Sequence, residues 1–114
     1  MPYLLINTNL KLDHEQERTL LSHCSSEIAT MLGKPERYVM VSIESGISML
    51  FGGDDSPCAY LELKSLGLPE ERSADYSQAL CGLISKALAI PKERIYIEFS
   101  NPARHLWGWD GATF

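Results

Sequence analysis

The sequence predicts an α/β fold of the two-layer α+β kind: a β-α-β unit used twice, giving a four-stranded sheet with two helices on one face, plus a C-terminal hairpin. Three observations carry this expectation. Two long apolar stripes of helical period each lie between β-prone runs. Glu36-Arg37, at the entry to one such run, recurs as Glu93-Arg94 at the entry to another, and the same offset of 57 lays Tyr3-Leu4 on Tyr60-Leu61. One β-α-β unit cannot bury both faces of its own sheet, so two copies side by side are the economical arrangement. With 114 residues and 45% hydrophobic content the chain suffices for one compact core and is too short for two ordinary domains, so residues 1–114 read as a single domain.

In order, the run Met1-Pro2-Tyr3-Leu4-Leu5-Ile6-Asn7-Thr8-Asn9 is β-prone and apolar and forms the first strand. Asp13 starts a helix, with Gln16 three residues on at the spacing of a capping box. Leu20, Leu21, Cys24, Ile28, Met31 and Leu32 recur at three- and four-residue steps, with His14, Glu15, Glu17, Arg18, Ser25, Ser26 and Glu27 on much of the other face. Gly33 stops this helix and Pro35 prevents its resumption. Residues 38–43, Tyr-Val-Met-Val-Ser-Ile, are expected to form a strand buried on more than one side. Gly46, Gly52, Gly53 and Asp54-Asp55-Ser56-Pro57 mark a loop. Cys58 to Leu66 reads as the third strand, ended by Gly67, and residues 68–72 lead into a helix from about Ser73. Its stripe is Tyr76, Leu80, Leu83, Ile84, Ala87 and Leu88, and Pro91 closes it. In the last long strand Ile95, Ile97 and Phe99 share one face, Tyr96 and Glu98 the other. Asp110-Gly111 between aromatic-bearing arms signals a terminal hairpin.

A formal charge of −5 and a pI near 5.1, with no basic cluster, argue against a nucleic-acid partner. No apolar run approaches the roughly 20 residues that span a bilayer, so no membrane partner is expected. A signal peptide is also missing, which points to a cytoplasmic site of synthesis. The three cysteines Cys24, Cys58 and Cys81 have no metal-ligand spacing and read as free thiols, with Cys24 and Cys81 on or beside apolar stripes. His14, His23 and His105 lack partners at ligand spacing, so neither a metal nor another cofactor is expected.

The chemically suggestive residue is Pro2. If Met1 is removed, its ring nitrogen becomes a free secondary amine, and an α-amino group titrates at roughly 7.7 to 8.0, so modest burial or a nearby cation brings it toward neutrality. Such a base can shuttle protons. The plainer reading is that a small second residue only permits Met1 removal. Lys34 follows a helix-ending glycine, where a lysine is commonly just a favourable charge at a helix C-terminus. Two helices on one face leave the other sheet face uncovered, and residues 38–43 look too apolar for water, so self-association is the expected cover. The aromatic tail either joins that interface or folds back on its own chain.

The residues also carry a resemblance. Pro2 with Ile6-Asn7-Thr8-Asn9, Gly33-Lys34-Pro35, Phe51-Gly52-Gly53 with Pro57-Cys58-Ala59, Tyr76-Ser77 with Leu80-Cys81-Gly82-Leu83, Arg94 with Tyr96-Ile97, and Gly108-Trp109 with Thr113-Phe114 resemble the motifs of the macrophage migration inhibitory factor family of the tautomerase superfamily, nearly end to end. The resemblance implies a homotrimer with active sites between adjacent subunits, and keto-enol tautomerisation of phenylpyruvate-like α-keto acids, an isomerase activity. It implies Pro2 as the proton shuttle, Lys34 as the cation for the substrate carboxylate, the backbone at Leu66 as a second contact, and Tyr96, Trp109 and Phe114 as an aromatic wall.

Three positions depart from the family pattern. Cys58-Ala59-Tyr60-Leu61 lacks the second cysteine of a Cys-x-x-Cys, which puts thiol-disulfide activity in doubt. Glu98 replaces an asparagine and brings a carboxylate to the aryl end of the pocket, while Trp107 replaces a valine and narrows the entrance. The alternative function is a cytokine-like signalling or binding protein with a vestigial pocket, engaging a protein receptor after export without a signal peptide. Dehalogenase-type relatives with the same terminal proline are a weaker third reading, because the extra arginines and the acidic water-activating residue they need are not assignable in this sequence.

Overall fold

The structure is a computed structural model that describes all of residues 1–114. Four strands, β1 (Pro2–Thr8), β2 (Met40–Glu44), β3 (Ala59–Ser65) and β4 (Ile95–Ser100), form one mixed sheet in the order β2-β1-β3-β4. β1 pairs parallel to β2 and antiparallel to β3, and β3 pairs parallel to β4. Each parallel pair is joined through a helix, α1 (His14–Leu32) or α2 (Ser73–Leu88), so the two β-α-β units meet along β1 and β3. This is the duplicated architecture the sequence implies. No helix is long and apolar enough to cross a membrane.

Local chemistry sets the helix ends. At α1 the capping box is complete: Asp13 Oδ1 accepts from the Gln16 N–H at 2.8 Å and Gln16 Oε1 accepts from the Asp13 N–H at 2.9 Å. Gly33 closes α1 at φ 63°, the left-handed conformation that glycine adopts without steric cost. The other helix stops earlier than Pro91 suggests, because Ala89 takes the same conformation at φ 56°. Left-handed backbone costs an L-residue roughly 1–2 kcal/mol, partly offset because glycine has more freedom to lose on folding. Ala89→Gly is therefore expected to stabilise the chain by about 0.5–1 kcal/mol, read as a higher urea midpoint. A lower midpoint would show that the cap is not strained.

The core lies between the sheet and the helices. Leu4, Ile6, Leu61 and Leu63 supply the central strands, Leu20, Cys24 and Ile28 supply α1, and Tyr76, Leu80 and Ile84 supply α2, all buried. Leu21 and Leu83 are only half-buried, and Ala87 is exposed at the rim of the second stripe. Buried Thr8 is satisfied, donating to Cys58 O at 2.8 Å and accepting from the Leu10 N–H at 3.2 Å.

The strand at residues 38–43 differs from expectation. Tyr38 ends a single 3-10 turn (Glu36–Tyr38), and β2 is an edge strand with Met40 66% exposed and Glu44 exposed. Val41 and Ile43 pair with Leu4 and Ile6 on the helix side, leaving Met40, Ser42 and Glu44 on the open face. An apolar count over the run hides this alternation. The open face is in fact mixed, carrying Tyr3, Leu5 and Asn7 from β1, Tyr60, Glu62 and Lys64 from β3, and Tyr96 and Glu98 from β4.

Candidate active site

Pro2 is the first residue of β1, where a missing N–H costs no ladder bond, and it is buried opposite Ser65. That pairing sets buried Leu66 beside it. The turn at Gly33 directs the chain so that Lys34, half-buried, lies at the same end of the sheet, and none of the four ion pairs in the chain uses its ammonium. Partial burial first, and the Lys34 ammonium second, hold the chain-terminal amine below its ordinary value of 8.0. That amine belongs to Met1 and stands in for the proline amine that loss of Met1 exposes one residue deeper.

The C-terminal hairpin pairs β5 (Gly108–Trp109) with β6 (Ala112–Thr113), and Asp110 and Gly111 both have positive φ, as a two-residue hairpin turn of this hand requires. It folds back: Trp109 meets Tyr38 edge-on at 6.0 Å between centroids and stacks on Phe114 at 6.3 Å. Trp109 still leaves 52% of its surface exposed. Since Met40, two residues past Tyr38, pairs with Tyr3, the hairpin stands at the Pro2 end of the sheet. Trp107 is half-buried at its base.

Tyr96 and Glu98 are elsewhere. Tyr96 pairs with Tyr60, which pairs with Asn7, five residues along β1 from Pro2, or roughly 17 Å. Its ring rests on Phe51 at 4.5 Å between centroids and it is 64% exposed. Both side chains point to the open face, whereas Pro2 points to the helix side. One chain thus sets Pro2, Lys34, Leu66 and the Trp109–Phe114 hairpin at the same end of the sheet, and it holds Tyr96 and Glu98 apart from them.

The loop before β3 is held by residues whose roles were not evident in sequence. Arg94 donates to the carbonyls of Phe51, Asp54, Ser56 and Pro57 at 3.0–3.2 Å, and Asn9 bridges the same loop to β1. Tyr60 was also missed: its hydroxyl donates toward Glu98 Oε2 at 2.7 Å, with Glu62 Oε1 at 3.0 Å. The signal was there in Tyr60-x-Glu62, but the strand register that adds Glu98 was not.

All three cysteines are free, and Cys58 is buried with leucine at 61. Burial, with a contribution from Glu27, pushes the Cys24 thiol up to about 12, so it is not a nucleophile at neutral pH. Reduction of insulin disulfides is expected to proceed no faster than in buffer containing the same reductant. Fast reduction that disappears in Cys58→Ser would contradict this.

The comparisons with known proteins bear on family and fold. The sequence pattern of the family described as Macrophage migration inhibitory factor (MIF) matches residues 1–114. A macrophage migration inhibitory factor homolog of Brugia malayi is 36% identical, covering 100% of this chain and 99% of its own, and the Mus musculus protein is 35% identical with the same coverage. Among solved structures, the homologue from Prochlorococcus marinus superposes with a TM-score of 0.92 at 41% identity, over 98% of both chains. The Trichinella spiralis protein gives 0.90 at 34%, over 98% of this chain and 99% of its own. The chain belongs to the macrophage migration inhibitory factor family, which includes tautomerase activity and cytokine roles.

Proposed function

We propose that the protein is a keto-enol tautomerase of phenylpyruvate-like α-keto acids, with the Pro2 amine as proton shuttle in a site shared between copies of a homotrimer. The observation that carries this is the buried start of β1, where Pro2 lies beside Leu66 at the same end of the sheet as an unpaired Lys34, and where burial and Lys34 hold the neighbouring Met1 amine below its ordinary value. A protonated Pro2 gives its proton to the carbon of the enol as the C=C bond shifts to C=O and the enol oxygen releases its own proton. In reverse, neutral Pro2 takes a proton from that carbon. Lys34 and the Leu66 backbone N–H orient the carboxylate, and Trp109 and Phe114 form one wall for the ring. The opposite wall, Tyr96 with Glu98, comes from a neighbouring copy, because one chain keeps them two strands away from β1, on the other face of the sheet and roughly 17 Å (Tyr96) and roughly 10 Å (Glu98) along it from Pro2.

The direct test is a steady-state assay with phenylpyruvate enol, on protein shown by mass spectrometry to lack Met1. A rate no higher than that of buffer would sink the proposal. Glu98 at the aryl end accepts a hydrogen bond from a para-hydroxyl and loses hydration uncompensated against a bare ring. A hydrogen bond to a charged group contributes roughly 1.5–3 kcal/mol. Glu98→Asn is therefore expected to lower the preference for hydroxyphenylpyruvate over phenylpyruvate by about tenfold or more, measured as a ratio of kcat/KM. An unchanged ratio would place Glu98 outside the pocket.

A further inference from the structure

Glu62 and Glu98 are direct register partners across β3 and β4, on the open face of the sheet. Like charges directly opposite destabilise a sheet unless something intervenes. Here it is Tyr60, whose ring reaches diagonally from its own partner Tyr96 to put its hydroxyl 2.7 Å from Glu98 Oε2 and 3.0 Å from Glu62 Oε1. A phenol has one proton to donate. The shorter contact falls at the length of a charge-assisted O–H···O⁻ bond, and Glu62 has a second partner, the Lys64 ammonium at 3.5 Å. The division that follows is Lys64 to Glu62 and Tyr60 to Glu98.

The phenol remains a donor at any ordinary pH. The hydrogen bond to Glu98, then burial, then the hydrogen bond to Glu62 all raise its pKa above the usual 10.0. Glu98 makes no other hydrogen bond within the chain, so its Oε1 stays available as an acceptor while Oε2 is held. A glutamate on an exposed edge strand otherwise samples many rotamers, and fixing it before a ligand arrives removes that cost from binding.

We propose that Tyr60 is a positioning residue that holds Glu98 by one carboxylate oxygen and presents the other to the para-hydroxyl of a phenolic α-keto acid. This rests on the reading above, in which Glu98 faces the aryl end of a neighbouring copy's pocket, and it adds the group that determines specificity through Glu98. Glu62 and Lys64 complete the device by neutralising each other and leaving the Tyr60 proton to Glu98.

The test is the ratio of kcat/KM for 4-hydroxyphenylpyruvate to that for phenylpyruvate, on Met1-free protein, in Tyr60→Phe, Glu98→Ala and the double variant. Tyr60→Phe keeps the ring and is expected to lower the ratio about 2- to 10-fold, the scale of immobilising one flexible side chain. In the Glu98→Ala background the same change is expected to leave the ratio where Glu98→Ala alone puts it, because Tyr60 acts only through Glu98. An unchanged ratio in Tyr60→Phe, or an equal drop in both backgrounds, overturns the assignment. If the wild-type chain turns over neither enol, the tautomerase reading fails separately, and the affinities for 3-(4-hydroxyphenyl)propanoate and 3-phenylpropanoate by calorimetry decide by the same criteria. Binding of neither acid overturns the proposal as well.

Discussion

Replacing Pro2 with alanine is expected to cut enol turnover by about 10²-fold or more, within the 10² to 10⁴ range typical of general acid-base catalysis. The loss follows from the nitrogen, because alanine leaves a primary amine whose lone pair no ring holds in place. Folding should survive, since proline contributes no N–H to the β1 ladder and alanine fits an extended first position. Unchanged circular dichroism with lost turnover is the expected pair of results. Protein that keeps Met1 makes a sharper comparison: the Pro2 nitrogen is then an amide and no base, so this form should be inactive while Pro2 itself is intact. Equal turnover with and without Met1 would remove Pro2 from the chemistry.

The second large effect is expected at Lys34. An ammonium contacting the substrate carboxylate contributes on the scale of a charged hydrogen bond, so Lys34→Ala should lower kcat/KM by about 10- to 100-fold. The pH profile gives a second readout with a definite sign. Neutral Pro2 takes the proton from a keto substrate, so kcat/KM in that direction rises with pH through the Pro2 pKa. Burial and Lys34 both lower the pKa of the Met1 amine, and the same two causes act on the Pro2 amine once Met1 is gone, so the rising limb should lie below the pKa of an exposed prolyl amine. Removing Lys34 takes away one of these causes, and the limb should move to higher pH. A large loss in kcat/KM with no displacement of the limb would mean that Lys34 binds substrate without acting on Pro2.

Much of this was legible before any coordinates. The stripes of α1 and α2, the Asp13–Gln16 cap and the recurrence of Glu-Arg at 57 residues specify two β-α-β units, because period and capping are local properties that tertiary packing confirms without altering. Residues depending on pairing were less visible. Met40 is exposed because β2 lies at the sheet edge, and no feature of Tyr38–Ile43 states which neighbour it lacks. Ala89 closes α2 in a conformation usually given to glycine, a stop that its residue type does not announce, whereas the proline at 91 does announce one. Pro2, Lys34, Leu66, Trp109 and Phe114 are scattered along the chain, and only the strand register and the fold-back of the hairpin put them at one end of the sheet. Tyr60 was missed because its importance depends on Glu62 meeting Glu98, a register fact.

The central claim is that Pro2 of one copy works with Tyr96 and Glu98 of another, and it can be tested by complementation. Pro2→Ala and the double variant Tyr96→Ala, Glu98→Ala are each prepared inactive or nearly so, then unfolded together in equal amounts and refolded. In a closed ring each site draws on two adjacent copies, so random assembly restores roughly a quarter of the sites with both halves intact. The expected result is activity near a quarter of the wild-type value, well above the sum of the two variants refolded alone. Activity equal to that sum, in a mixture shown to contain hybrid oligomers, would contradict the shared site.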